Sequence, residues 1–315
     1  MKDKIKGILP FVGLALLCIV LSVVTDKFLT VRNLSNVLRR SAPVVIMSTG
    51  MTFVIVSGGI DLSVGSVLAL AGVCGTMAMS ACPSAGLMGG LLAAVLVGGL
   101  CGAVNGALTV ALRIPSFIAT LGMMSIARGV ALMVTHEVPV TENLPESFVT
   151  FGTGSLFGVL PWPLVVMLCV VIAGAFLMRY TPLGRYTYAI GSNREAAYHS
   201  GIAVSRYSII IYTLAGLLTG LAGLIVMARL NSGQPTEGVG MELTVIAAVV
   251  IGGGSLSGGE GTILGAVVGA LLMAVLLNGC VLLGVSHNVQ KLVIGGLIIA
   301  AVALDQYLRR RGAAD

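Results

Sequence analysis

Charged and titratable side chains are scarce in this chain, so the few that fall among its apolar runs are the first places to look for chemistry. Asp61, Arg128, Arg229, Glu242 and Lys291 lie within or beside such runs. Of these, only Arg128 sits deep in one. A carrier driven by protons or sodium needs buried ionisable groups or unwound helices near the middle of the membrane, and one arginine reaching a polar interior is a thin set. His136, His199 and His287 are scattered outside the apolar runs. There is no H-E-x-x-H zinc helix, no G-x-S-x-G nucleophile turn and no carboxylate pair. No catalytic residue and no metal site are therefore expected. Cys18, Cys74, Cys82, Cys101, Cys169 and Cys280 form no C-x-x-C pair and mostly fall inside apolar runs, so they read as small buried hydrophobes.

Two glycine-rich segments are the next candidates. Gly252–Gly261 has the glycine density of a phosphate loop. Neither Gly253…Gly258 nor Gly254…Gly259 is followed by Lys and Ser/Thr, so the Walker chemistry is absent. The expectation is a tight intracellular turn with Gly253 and Gly258 at its corners, in a chain that binds neither ATP nor another cofactor. In Ser57–Gly65, Gly58 and Gly59 break a helix, and Asp61 is expected as the N-cap of the next one, with Ser63 nearby. That segment reads either as a structural turn or as a gate close to a pathway. Neutral polar residues suit an uncharged substrate better than the charges do. Asn105, Thr120 and Asn278, with Phe117 beside them in sequence order, are the candidate pathway residues; the other reading of such polar groups is hydrogen bonding between helices.

The longest polar break is Arg179–Arg206. Ser192-Asn193-Arg194-Glu195 has the form of a capping box, and Gly201 is a natural helix stop. A helix of roughly eight residues, about 12 Å long, is predicted between them. It is too short for a core-facing stripe and reads as a docking element for a partner outside the bilayer, or else as a solvated loop. Arg185, Gly191, Asn193, Glu195, Ala196, Ala197 and Gly201 are the candidate docking residues, with Ala196 and Ala197 small enough to enter a partner's groove.

The elements that position these residues are membrane spans. The 315 residues are 57% hydrophobic and 10% charged, with a mean hydropathy of +1.05. No soluble domain looks like this. Ten candidate spans lie near 7–24, 41–57, 62–81, 86–110, 116–134, 162–179, 207–228, 241–257, 261–283 and 289–307. The expected fold is all-α, one transmembrane domain over 1–315, with a cytoplasmic loop 180–206 and a periplasmic loop 135–161. The first span, preceded by Lys2, Lys4 and Lys6, lacks a small-x-small cleavage site and reads as retained. The net charge of +6 is a topology signal rather than a nucleic-acid one. With both termini cytoplasmic, Arg113, Arg179, Arg185, Arg194, Arg206 and Arg309–Arg311 fall inside, while the long outer loop carries Glu137, Glu142 and Glu146. Lys27, Arg32, Arg39 and Arg40 conflict with that rule. Gly98, Gly102 and Gly106 in the fourth span, and Gly261, Gly265 and Gly269 in the ninth, recur at four-residue spacing. Each row predicts tight helix contact, and the offset of five spans predicts an inverted repeat.

These stretches have a counterpart. Gly59-Ile-Asp-Leu-Ser-Val-Gly-Ser66, Phe117-Ile-Ala-Thr-Leu-Gly122, Leu183-Gly-Arg-Tyr186, Ala189-Ile-Gly-Ser-Asn193, Ala228-Arg-Leu-Asn-Ser-Gly-Gln-Pro-Thr236 and the run from Glu242 to Gly261 resemble the permease subunits of bacterial ABC importers for monosaccharides. The resemblance covers nearly the whole chain. It implies ten spans in the inner membrane, a second permease subunit as a homodimer, a cytoplasmic ABC ATPase and a periplasmic sugar-binding protein, with a coupling helix at Asn193–Gly201. Lipid and the monosaccharide are the remaining partners; Ala228–Thr236 tilts the expected cargo toward ribose. Thr244 stands where relatives often carry aspartate. The alternative function is an ion-coupled secondary sugar carrier.

Overall fold

The computed structural model describes residues 2–158 and 160–312. Side chains of residues 1–8, 287, 304–305 and 307–315 lie outside the described set, including Lys2, Lys4, Lys6 and Arg309–Arg311 of the expected basic face. The chain is helical throughout: α1 (Lys2–Val24), α2 (Val31–Val56), α3 (Val64–Ala81), α4 (Gly86–Ala111), α5 (Ser116–Thr135), α6 (Glu146–Thr153), α7 (Trp162–Tyr180), α8 (Pro182–Ser192), α9 (Arg194–His199), α10 (Val204–Leu230), α11 (Met241–Ile251), α12 (Ile263–Leu282) and α13 (His287–Gly312). A small antiparallel pair, β1 (Ser155–Leu156) and β2 (Leu160–Pro161), follows α6.

Among the described residues, six stretches are long and apolar enough to cross a membrane: α3, α4 with the turn before it, α5, α7, α10 and α12. Six of the ten expected spans coincide with these; those near 7–24, 41–57 and 289–307 fall on α1, α2 and α13 without being among the six, and the remaining one is corrected. The stretch 241–257 is not a span. Its helix, α11, has 11 residues, about 16 Å at 1.5 Å per residue, roughly half a hydrocarbon core. It stops because Gly253 turns left-handed (φ 91°) and its amide and that of Gly254 bond back to the carbonyls of Val250 and Val249, a glycine C-cap.

Helices α2 and α10 form the centre. Almost every residue of α2 from Ser41 to Val56 is buried, as is α10 from Ala222 to Ala228. Protein surrounds both along those stretches. The neighbours follow a pattern. Helix α10 packs on α3 and α4, while α2 packs on α11 and α12; α3 packs on α4 and α5, while α11 packs on α12 and α13. The named pairs correspond at the five-span offset, while α4 packs on α5 and the described residues of α12 and α13 show no contact of matching extent.

Both glycine rows pack against backbone. A Cβ on Gly98 or Gly102 would collide with the carbonyls of Gly216 or Tyr212 on α10, and one on Gly106 would meet the Ile209 Cα at 2.8 Å. A Cβ on Gly265 or Gly269 would collide with the carbonyls of Gly252 or Ala248. Gly261 does not belong to its row: it lies before α12, in the turn, with φ 147°.

The links sort into two ends. At the long-loop end, Val140 and Gly233 form a two-way backbone bridge, at 3.0 and 2.8 Å. The guanidinium of Arg39 donates to the Thr153 carbonyl at 2.7 Å and to its neighbours Gly152 and Gly154. Arg39 thus satisfies the carbonyls that end α6, giving one of the four misplaced basic residues a local reason to be there. At the opposite end lie α8, α9 and the links after α2, α4 and α11.

Candidate functional site

The polar break folds into two helices rather than one helix in a loop. Pro182 opens α8, the position proline prefers. Helix α9 is shorter than predicted, six residues over Arg194–His199. Its cap is Asn193, not Ser192: the Asn193 Oδ1 accepts from the Ala196 amide at 2.9 Å. An asparagine one residue later reaches the third amide of the helix equally well. Gly201 ends α9 as expected, with φ 84°; its amide bonds to Tyr198 and the Ile202 amide to Ala197, the paired bonds of a glycine stop.

Ala197 is placed differently from the expectation. It is buried in a small cluster with Ile190 and Val204 of its own chain, so it cannot enter a partner's groove. The exposed surface of α9 is Arg194, Glu195, Ala196, Tyr198 and His199, and Arg185 is exposed on α8.

The last turn of α8 meets both glycine-rich links. A Cβ on Gly191 would collide with the Val56 carbonyl and sit 2.6 Å from the Gly259 amide. Those two groups bond to each other, Gly259 N–H to Val56 O at 2.8 Å. Gly258 is pressed between Gly191 and Gly58, each Cα 3.0 Å from the place its own Cβ would take. The Tyr188 hydroxyl donates to the Gly261 carbonyl at 2.6 Å. Gly58, Gly258 and Gly259 all have positive φ, so they supply the turns and the close approach together. Sequence reading treated Gly191, Gly253 and Gly258 as separate motifs; Gly191 and Gly258 touch, and Gly253 belongs to the same link.

The first of these links leads into the start of α3 inside the bundle, and the second leads on into α12. The link 57–63 enters the bundle beside α5. Its Ile60 amide donates to Ser116 Oγ and its Leu62 amide to Thr120 Oγ1, both at 3.1 Å. Asp61 is 2% exposed. It is not the N-cap of α3, which is Ser63. Its Oδ1 accepts from the Ser63 amide at 2.8 Å and the Ser63 hydroxyl at 2.6 Å, and Asn105 Nδ2 donates to Ser63 Oγ at 3.0 Å. Asn105 and Thr120 are fully buried and engaged in holding this link. Asn278 forms a reciprocal amide pair with Asn33 that joins α12 to α2, at 2.9 and 3.0 Å. Phe117 alone of the pathway candidates is half exposed, at 49%.

The segment 231–240 enters from the other end. Gly233 packs on Thr76 and Gly238 on Gly65. Those two α3 residues are eleven apart, so the segment descends about 16 Å alongside α3. Arg128 of α5 donates from its guanidinium to the Pro235 carbonyl on the way. At the bottom α11 begins, and the Glu242 Oε1 accepts from the Gly240 amide at 3.1 Å. The carboxylate of Glu242 lies where a Gly65 side chain would be. The amino ends of α3 and α11 therefore converge inside the bundle, each with its own carboxylate against the positive end of the helix.

One signal for this was missed. Ile60-Asp61-Leu62-Ser63-Val64 and Met241-Glu242-Leu243-Thr244-Val245 are the same pattern, and they are the two helix starts that meet. Helix α8, read as loop from its polarity, was the other omission; Pro182 followed by Leu183, Tyr186 and Ile190 carried its signal. Among the described residues no cluster of three or more metal-ligating side chains occurs. The six cysteines are free, with Cys82 and Cys169 exposed rather than buried.

Residues 33–302 match the family of the branched-chain amino acid transport system / permease component. The chain is 43% identical over 304 residues to the ribose import permease protein RbsC of Escherichia coli (strain K12), covering 93% of this chain and 92% of that protein. It is 45% identical over 300 residues to RbsC of Bacillus subtilis (strain 168), covering 94% and 92%. It is 37% identical over 285 residues to the D-allose transport system permease protein AlsC of Escherichia coli (strain K12), covering 90% and 86%. No solved structure matches. Permeases of this kind work with a separate ATPase and a substrate-binding protein, which removes the ion-coupled carrier as the alternative. The chain belongs to this permease family, as a multi-pass transport subunit of an ABC-type importer and not an enzyme.

Proposed function

We propose that this chain carries ribose or a closely related monosaccharide across the inner membrane, as one of two identical permease subunits, and that α8 and α9 receive the force. The observation that carries the reading is the junction at Gly191. There the last turn of α8 is locked to the end of α2 and to the link after α11. The end of α2 runs straight into the start of α3, and the link after α11 closes the far end of the helix whose start meets it inside the bundle. A push on α9 from a docked ATPase reaches both halves of the repeat through one rigid contact. The rocking of one half against the other then opens the passage between the paired permeases. Ribose is favoured because the relatives at 43% and 45% identity are ribose permeases.

The same reading makes the α8–α9 end cytoplasmic and the loop 135–161 periplasmic. Arg113, Arg179, Arg185, Arg194 and Arg206 all lie on or beside links of the α8–α9 end, the side on which lysine and arginine are retained. Single cysteines at Thr141 and Ser192, in a background lacking the native six, test the orientation. An impermeant thiol reagent outside the cell labels Thr141→Cys only; labelling of Ser192→Cys reverses it.

Reconstitution tests the function. In liposomes the permease alone accumulates no ribose under a proton or sodium gradient. Accumulation requires the cognate ATPase, internal ATP and the external binding protein together. Gradient-driven accumulation by the permease alone defeats the reading, and binding protein loaded with another sugar replaces ribose as the cargo.

A further inference from the structure

We infer that residues 236–243 face a water-filled passage, and that Thr236, Glu237 and the main chain at Val239 meet the hydroxyls of the sugar as it crosses. The segment that leads into α11 runs beside α3 from Thr76 down to Gly65. Helix α3 is long and apolar enough to cross a membrane, so the segment lies at membrane depth. It is not wrapped in protein there. Thr236 is exposed, Val239 is 73% exposed and Leu243 is 47% exposed. The patch sits between α5, which reaches it through Arg128, and α13, which packs on α11.

Lipid is the wrong cover for this surface. The amides of Thr236 and Val239 make no hydrogen bond among the described residues, and hydrocarbon supplies no acceptor for them. Three charged side chains, Arg128, Glu237 and Glu242, are half-buried in the same region, and the charges of both carboxylates reach the guanidinium. At this depth, unpaired main chain and charged side chains are tolerated where they line water. A dry contact with a second copy of the chain would strand the same groups. Water, and what travels in it, remains as the occupant.

The free groups select what is met there. The Glu237 carboxylate has no hydrogen-bond partner among the described residues, so it is open to accept. The two unpaired amides donate, and the Thr236 hydroxyl does both. A carboxylate in the patch turns anions away, and the amide and guanidinium donors ill suit a cation. A neutral compound with several hydroxyls brings donors and acceptors together, and its hydroxyls make charge-assisted bonds to a carboxylate. Glu242 is less free for this, since its Oε1 already accepts from the Gly240 amide. Asn105, Thr120 and Asn278 are spent on other parts of the chain, which leaves this patch to make the contact.

The sugar rests on the proposed function; the exposure of the patch to water does not. The complete transporter is placed in lipid nanodiscs with the native six cysteines replaced. Val239→Cys and Leu243→Cys should then react with a charged, hydrophilic thiol reagent about tenfold faster than Leu96→Cys, an exposed position in the middle of α4, because the reactive thiolate needs a polar setting. Equal rates would put the segment against lipid or a second copy and overturn the proposal. Glu237→Gln tests the contact with sugar. Ribose delivered per ATP hydrolysed should fall about tenfold, while Tm and the stimulation of the ATPase by loaded binding protein stay unchanged, and Glu237→Asp should restore most of the delivery. Unchanged delivery means that Glu237 does not meet the sugar, and a lower Tm or lost stimulation means that it holds the fold or the coupling; each overturns the proposal. If the two cysteines react but the unaltered transporter moves no ribose, the passage stands and the cargo assigned under the proposed function is the part that fails.

Discussion

The two helix starts that meet inside the bundle carry the same five-residue pattern and are held in different ways. At the start of α3, Asp61, Ser63 and Asn105 are buried and bonded in a chain, and the Ile60, Leu62 and Ser63 amides each have a side-chain partner in Ser116, buried Thr120 and Asp61. At the start of α11, Glu242 is half-buried and takes one amide, Leu243 is exposed, and the descending segment hangs from a bridge to the long loop and one arginine. The first start is anchored to its helices and the second is tethered to its surroundings. Repetition of sequence therefore sets the path of the backbone, while the residues around it set the stiffness. On the proposed rocking mechanism, the anchored start is expected to stay fixed and the tethered one to yield.

The largest effect expected is at Asp61. Asp61→Ala strands a buried amide and a buried hydroxyl on Ser63, at a cost of about 1–3 kcal/mol for each stranded group. Glu242→Ala removes one partly solvated carboxylate from a helix start, about 0.3–1 kcal/mol. Thermal unfolding of the two variants in the same detergent should give a Tm drop several times larger for Asp61→Ala. Equal drops would break the contrast between anchored and tethered starts.

Next comes the packing that is common to both halves. Gly102→Leu and Gly265→Leu place a side chain against backbone carbonyls, and such overpacking costs about 1–3 kcal/mol. Gly122 on α5 has nothing within 4 Å of its would-be Cβ, so Gly122→Leu should leave the monomer's Tm within error. Gly86, at a span end, is a poorer control because its φ of 54° makes any side chain strained. If Gly265→Leu alone is harmless, the two halves do not share a packing rule.

The exposed face of α9 should matter for coupling with little effect on stability. Ala196→Arg alters a surface position, where changes usually stay within about 0.5 kcal/mol. It should leave insertion and Tm unchanged and abolish stimulation of the ATPase by loaded binding protein. Ala197→Arg cannot serve, since Ala197 is buried against Ile190 and Val204 and its loss of function would report misfolding. Normal coupling in Ala196→Arg would show that α9 is not the docking surface.

Much of this was legible in the chain, for physical reasons that also explain the failures. Spans were readable because lipid demands long apolar runs, and the glycine rows because close backbone approach demands the absence of a Cβ. The helix stop at Gly201 followed from the left-handed conformation that glycine alone takes freely. The span at 241–257 was misread because hydropathy counts apolar residues and does not see where the chain turns; Gly252-Gly253-Gly254 was the sign that it turned. Asn105, Thr120 and Asn278 were assigned to a pathway because a polar residue in an apolar run has two uses, facing a cavity or bonding a neighbouring element, and only their partners distinguish these. The junction of Gly58, Gly191 and Gly258 was invisible because its members lie far apart in sequence and each has an adequate local explanation as a turn.

The most direct reading of the contrast, with a small and local effect, should come from Arg128. Its guanidinium meets the Pro235 carbonyl partway down the descending segment, and that side chain is only half buried. Arg128→Gln shortens the reach and removes the charge, so one hydrogen bond to a carbonyl is lost, worth about 1 kcal/mol. Global Tm should scarcely move, since the bridge between Val140 and Gly233 persists. Local opening should change more: a loss of that size raises amide exchange by about fivefold wherever exchange follows local opening. Mass-resolved hydrogen exchange should therefore show residues 236–240 accelerating while 60–64 stay unchanged. Acceleration of both segments would mean that the two helix starts open as one unit, and the assignment of a fixed half and a yielding half would have to be abandoned.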